Sequence, residues 1–339
     1  MERDDQLRVG LIGCGYQGQW LARATLALDE LRLVACTDPQ PNAVAAVLAL
    51  DGGTQGEASA EALIARKDVD AVLIATPHHL LQPYALQSVT AGKHVLAEKP
   101  IALNEKQAAE LQEAIAQYGV TYMAGYSFRY LPPVDEAKRL VAGGVIGQIK
   151  TVSAGMARSG LAPTWVRERE SGGGIMGFYG CHLVDRVLWL VDEKPVEVSA
   201  TVTTYPDYGV DQTSLFQVRF EGGAVAQFNI CGESAGWFDF AHLCGGDGHL
   251  YLSMATVPNY SLTVSSRTHE AYATPQTCST NLDRATAVQQ KLEAELRDFA
   301  QAIQQQRQPP ISIADGRRVL KVLDAVTASA QKGAPVDLN

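Results

Sequence analysis

Arg8-Val9-Gly10-Leu11-Ile12-Gly13-Cys14-Gly15-Tyr16-Gln17-Gly18 is the stretch that decides the fold of this 339-residue chain. An apolar strand runs into a glycine-spaced turn. A helical pattern follows, with Trp20, Leu21, Ala24 and Leu28 along one face. Gly13 permits the tight turn, and Gly15 lets a pyrophosphate approach the backbone. Gly18 lets helix and strand pack closely, so that the helix N-terminus points at the phosphates. A second strand, 31–37, ends at Asp38, twenty residues after Gly18. A carboxylate there can accept hydrogen bonds from an adenosine ribose. It also repels a 2′-phosphate, so the expected cofactor is NAD, with NADP the lesser choice.

The bulk properties narrow the possibilities. A chain of 339 residues suggests two domains or one large α/β domain, and 46% hydrophobic residues supply a sizeable core. The net charge is −9, with no Lys/Arg-rich run, which argues against nucleic acid as a partner. The start, 1–6, is acidic and polar, and the first strand follows at once. That leaves no room for a secretory signal. No apolar stretch approaches membrane-spanning length. Six cysteines are scattered without CxxC pairs or metal-ligand spacing, so no metal is expected and a cytoplasmic location is.

The first third of the chain alternates strand and helix. Segments 69–75, 94–97 and 120–125 read as strands, and 81–90 and 105–118 as helices, the latter capped by Asn104 and stopped by Gly119. Such alternation implies a doubly wound parallel sheet, with ligands beyond the carboxyl ends of the strands. Gly13, Asp38, Thr76 and Lys99 all fall there. After residue 127 the texture changes to β-rich segments, 149–156, 196–204, 214–220, 224–231, 238–244 and 248–254, with helices over 180–191, 291–304 and 315–331. The division expected is a dinucleotide-binding α/β domain, 1–126, and an α+β domain with a largely antiparallel open sheet, 127–339.

Gly13-x-Gly15-x-x-Gly18, Ala75-Thr76-Pro77, Glu98-Lys99-Pro100, and Gly172-Gly173-Gly174 followed by His182-x-x-Asp185 occur in that order. Together they resemble the glucose-fructose oxidoreductase / inositol dehydrogenase family (Gfo/Idh/MocA). The resemblance implies an N-terminal Rossmann domain and a C-terminal domain whose open sheet builds homodimers or homotetramers. It implies an NAD(P)-dependent oxidoreductase acting on the CH–OH groups of a sugar, cyclitol or related carbohydrate. Cofactor contacts would come from Gly13, Gly15, Tyr16, Gln17, Gly18, Asp38, Ala75, Thr76, Pro77, His78, Glu98 and Lys99. Lys99 would polarise the substrate oxygen, and His182 would move its proton. The resemblance also implies a cis Pro100. Tyr126, Arg129, Trp165 and Tyr179 would line the substrate pocket.

The sequence departs from this pattern at two places. The family's usual aspartate, four residues before the histidine, is Phe178 here. Phenylalanine can neither orient an imidazole nor stabilise its cation. Beyond Thr76-Pro77 the usual histidine position is Leu81, while His78 and His79 come earlier. His78 can reach a nicotinamide, although paired histidines at a helix start are also often solvated. Arg167 and Arg169 hint at an acidic substrate, but Glu168 and Glu170 interleave with them. The departures keep two alternatives open. One is NAD-dependent glycoside cleavage through transient oxidation and elimination. The other is a dinucleotide-binding regulator without catalysis.

Overall fold

The computed structural model describes residues 6–160, 163–256 and 259–338. The acidic start, apart from Gln6, lies outside them. The chain divides into two compact units, Met1–Ser127 with Ala285–Arg317, and Phe128–Arg284 with Arg318–Asn339.

The first unit opens with β1 (Leu7–Ile12), α1 (Tyr16–Leu26), β2 (Leu31–Thr37), α2 (Pro41–Leu48), β3 (Gln55–Gly56), α3 (Ala60–Ile64) and β4 (Ala71–Ile74). It continues with α4 (His78–Thr90), β5 (His94–Glu98), α5 (Glu105–Tyr118) and β6 (Tyr122–Gly125). The six strands form one sheet in the order β3-β2-β1-β4-β5-β6, and every pair is parallel. Strand β4 is apolar along its length and β5 through Val95, Leu96 and Ala97, as expected when helices cover both faces. Strand order reverses between β1 and β4, the kind of switch point at which such sheets bind ligands. The caps of α5 are as expected: Asn104 accepts from the Gln107 amide at 3.0 Å, and Gly119 takes φ +65°. Helix α4 starts at His78, not Leu81. Pro77 provides its extended N-cap, and the helix tolerates Pro83 in its interior.

The second unit holds α6 (Pro132–Ala142), β7 (Ile149–Ser159), a π-turn (Met176–Gly180), α7 (Cys181–Val191), β8 (Pro195–Thr204) and β9 (Asp211–Phe220). After these come β10 (Val225–Cys231), β11 (Glu233–Gly245), β12 (Gly248–Thr256), β13 (Asn259–Ser266) and β14 (Gln276–Asn281). The chain ends with α8 (Arg284–Gln304), α9 (Ile313–Lys332) and β15 (Val336–Asp337). Nine strands form a sheet in the order β14-β13-β12-β11-β7-β10-β9-β8-β15. Only β7 and β10 pair parallel. The sheet is therefore mixed but mostly antiparallel. Helix α7 packs on β7.

The two compact units are divided differently from the expected 1–126 and 127–339: residues 285–317 group with the first unit. The reason lies in α8, where Leu292, Leu296, Phe299 and Ala300 are fully buried, and in the Ala124 amide, which donates to the Ile311 carbonyl at 3.0 Å. Among the described residues no helix is long and apolar enough to cross a membrane.

Candidate active site

The glycine turn is shaped by contacts that leave no room for side chains, except at one position. Gly13 has φ +94°, and a Cβ on it would stand 2.5 Å from the Ala75 carbonyl oxygen. A Cβ on Gly18 would stand 1.9 Å from the Gly13 carbonyl oxygen. Turn and α1 are thereby pressed against each other and against the Ala75-Thr76-Pro77 segment. A Cβ on Gly15 would meet nothing within 4 Å, so the backbone there is open to a ligand. Gly15 is the N-cap of α1 and gives it no side-chain cap. The first amides and the positive end of the helix dipole thus favour an anion. Tyr16 beside them is 66% exposed. Asp38 fixes the turn from the end of β2: its Oδ2 accepts from the Cys14 amide and its Oδ1 from the Gln40 amide, both at 2.8 Å. These residues fit the pyrophosphate and ribose of a dinucleotide. His78 is 3% exposed, so the solvated alternative does not apply to it.

Glu98 ends β5 and is 7% exposed. Gln17 donates to its Oε1 at 2.6 Å, which ties the glycine turn to the Glu98-Lys99-Pro100 segment. Gln17, expected at the cofactor, has its side-chain amide on this carboxylate. Burial pushes the Glu98 carboxyl up, against the opposing charges of Lys99 and Lys291 and the Gln17 hydrogen bond. Lys291 was not anticipated. It is 8% exposed on α8 and donates to Ser127 Oγ at 2.8 Å. Lys99 is half-buried, and the Lys99–Pro100 bond is cis.

In the second unit, His182 lies one residue into α7, directly after the π-turn. Its ring stacks on Phe128 at 4.2 Å and 9°, and it is 7% exposed. The glycine run before it is shaped by Asp211. A Cβ on Gly174, at φ +107°, would collide with the Asp211 carboxylate, and Asp211 Oδ2 accepts from the Met176 amide at 2.8 Å. Burial pushes the Asp211 carboxyl up to about 6. Phe178, in the place of the family aspartate, meets Trp165 edge-on at 5.6 Å and Tyr179 at 4.4 Å. Trp165 and Tyr179 therefore belong to one aromatic cluster beside the histidine helix.

Two of the residues expected at the substrate are held within the protein itself. Arg129 Nε and Nη2 donate to Asp185 at 3.0 and 2.5 Å, with both side chains buried. The guanidinium therefore anchors α7, because a buried cation needs a carboxylate partner. Tyr126 follows β6 and is 0% exposed, enclosed in the core. Arg167 and Arg169 reach the connection between β8 and β9: Arg167 lies over the Tyr208 ring, and Arg169 donates to the Gly209 carbonyl. Among the described residues no group of three or more His, Cys, Asp or Glu is placed to hold a metal.

Comparison with known proteins agrees with this layout. Residues 7–126 match the family model described as an oxidoreductase family with an NAD-binding Rossmann fold, and residues 134–251 match that of the GFO/IDH/MocA C-terminal domain. The chain is 29% identical over 228 residues to a 2,7-anhydro-N-acetylneuraminate hydratase of Escherichia coli K12, covering 65% of this chain and 60% of the relative. It is 29% identical over 216 residues to a levoglucosan dehydrogenase of Pseudarthrobacter phenanthrenivorans, covering 59% and 54%. Matches to the first curated relatives span little more than half of those proteins, 51 to 60%. A solved levoglucosan dehydrogenase, in complex with NADH and levoglucosan, shares the fold at a TM-score of 0.88 and 24% identity, covering 98% of this chain and 99% of that one. Two adjoining domain models of one family thus describe most of both units, and the chain belongs to the Gfo/Idh/MocA family of oxidoreductases, with an NAD-binding Rossmann fold at its N-terminus.

Proposed function

We propose that this protein is an NAD-dependent oxidoreductase that moves a hydride between the nicotinamide and a CH–OH carbon of a sugar, cyclitol or related carbohydrate. The observation that carries the reading is the C-terminal end of β5. There Lys99 follows the buried Glu98, which Gln17 links to the open glycine turn. Bound NAD would supply the hydride acceptor. Gly15 and the first amides of α1 hold the diphosphate, and Asp38 receives the adenosine ribose and disfavours a 2′-phosphate. Glu98 faces the second ribose. Lys99 Nζ donates to the substrate oxygen and stabilises the alkoxide that develops there. The imidazole of His182 takes the hydroxyl proton. Trp165 and Tyr179 offer aromatic faces to the sugar. The proton and the hydride leave the same CH–OH group, which becomes a carbonyl.

The experiment is an NADH-formation screen over sugars, inositols and sugar acids, repeated with Lys99→Ala. Turnover is expected to fall by about 10²-fold or more with NAD binding largely retained. Unchanged turnover refutes the role given to Lys99. A second reading is favoured by Phe178 and by the relative named a hydratase: a reaction that oxidises and re-reduces the sugar within one cycle. It would convert sugar without net NADH. The protein assembles, on this proposal, as a homodimer or homotetramer through the open face of the nine-stranded sheet, where Leu215 and Tyr251 are 46% and 39% exposed. The cytoplasmic reading rests on its six free cysteines.

A further inference from the structure

Arg158 is a half-buried cation of the second unit with no ion-pair partner among the described residues. It lies on β7, on the sheet face that carries Met156 and, across the ladder, Asp239. Its Cζ sits 3.8 Å from the Tyr179 ring centroid and 4.0 Å from that of Trp237. A break in the β11 register creates this arrangement. Glu233 pairs with Ser159 and Phe238 with Ala157, so 234–237 bulge out opposite Arg158 and bring Trp237 to it. Two rings cover the guanidinium, which leaves its planar edge for hydrogen bonding.

That edge is unused. Arg158 makes no hydrogen bond or ion pair with a described residue, and its Nε is enclosed without an acceptor. The other enclosed arginines of this unit are matched: Arg129 by Asp185, and Arg186 by Asp239. Asp239 gives its Oδ1 to Arg186 and makes no hydrogen bond to Arg158, and Arg284 adds a further positive charge near Arg158. Burial pulls the Arg158 guanidinium down from its ordinary range, against the opposing influence of Tyr179 and Asp239. Tyr179, one of its two rings, precedes His182 by three residues.

We propose that Arg158, held between Tyr179 and Trp237, recognises an oxyanion on the substrate, so that the preferred carbohydrate is a sugar acid or sugar phosphate rather than a neutral sugar. A carboxylate or phosphate would accept two hydrogen bonds from the guanidinium edge and supply the missing counter-charge. The proposal takes its site from the oxidoreductase reading but predicts binding independently of turnover.

The test pairs uronates, aldonates and sugar phosphates with their neutral parents. Affinity is read by calorimetry on the NAD-loaded chain, and NADH formation is read in parallel. Acids are expected to bind about ten- to a hundredfold tighter than their parents, with the preference erased in R158M and partly kept in R158K. The loss falls on KM rather than kcat. R169Q, in the exposed loop, should keep the preference. The carboxylate and phosphate arms separate the two oxyanions. Neutral sugars binding as well as acids, or R158M weakening acid and parent equally, overturns the inference. Acids that bind through Arg158 without any NADH uphold it and overturn the oxidoreductase reading. NADH from neutral sugars alone does the reverse.

Discussion

Burial raises the Glu98 carboxyl, and three neighbours oppose that rise. The opposing effects are named: desolvation raises it, and Lys99, Lys291 and the Gln17 amide lower it. Lys291 is the one of these remote from the glycine turn and the β5 end, so it offers a clean perturbation. K291M keeps the apolar stem and removes the charge. The Glu98 pKa should then rise further, and the carboxylate should be lost at a higher pH as the solution is acidified. If Glu98 holds the nicotinamide ribose, the acid limb of NAD affinity moves to higher pH. Titrating NAD against pH for both chains checks this, and an unmoved limb removes Lys291 from the account. At this scale the sequence was only partly legible. Glu98 and Lys99 stand in a motif, so their neighbourhood could be read. Lys291 is a single lysine in an amphipathic helix far along the chain, and nothing in its local pattern separates it from a solvated one. Arg158 was missed for a related reason, since its two rings come from different elements.

Among the elements, the segment leading to His182 depends on a residue outside itself. Asp211, at the start of β9, receives the Met176 amide where the π-turn begins, and Gly174 is bare to admit its carboxylate. Burial raises Asp211 from 3.8 to about 6. Between those values the folded chain binds more protons than the unfolded one, so this group's contribution to stability declines as pH rises through the window. Above about pH 6 the fold carries a half-buried carboxylate at a cost. D211N retains an acceptor for the amide without that cost. Relative to the wild type, it should gain about 1–2 kcal/mol on going from pH 4 to pH 7.5, less than the full shift because the side chain is partly exposed. Urea unfolding at the two pH values measures the difference, and a constant gap would contradict the assignment. In the first sheet β1, β2, β4, β5 and β6 were readable as short apolar runs, whereas β3, two exposed residues at Gln55–Gly56, carries no such pattern and was missed. In the second sheet β13 and β14 were overlooked. Residues 276–281 of β14 are polar on both faces, with only the buried Tyr260, Leu262 and Val264 of β13 alternating beside them. The four-residue bulge before Phe238 leaves no composition signal at all.

For the whole molecule the main lesson is discontinuity. A chain-order reading cuts once near residue 127 and assigns everything afterwards to the second domain. The fold instead returns 285–317 to the first unit. Helical periodicity identified the buried stripe of Leu292, Leu296 and Phe299, but periodicity cannot say which core a stripe covers. The consequence can be tested on a chain ending at residue 284. It keeps the glycine turn, Asp38, Glu98 and Lys99. It loses the fully buried Leu292, Leu296 and Phe299, the Ile311 carbonyl that accepts from the Ala124 amide of β6, and Lys291. Burying one such large apolar side chain is worth about 2–3 kcal/mol, so losing three exceeds half of what an ordinary domain holds in reserve. The truncated chain should therefore fail to bind NAD in a fluorescence titration, although every residue of the nucleotide motif remains. F299A in the full chain is the milder form: about 3–5 kcal/mol of stability lost in denaturant, with NAD binding surviving wherever the first unit stays folded. A truncated chain that bound NAD with undiminished affinity would show that the dinucleotide fold is complete by residue 127 and that the returning segment serves something else.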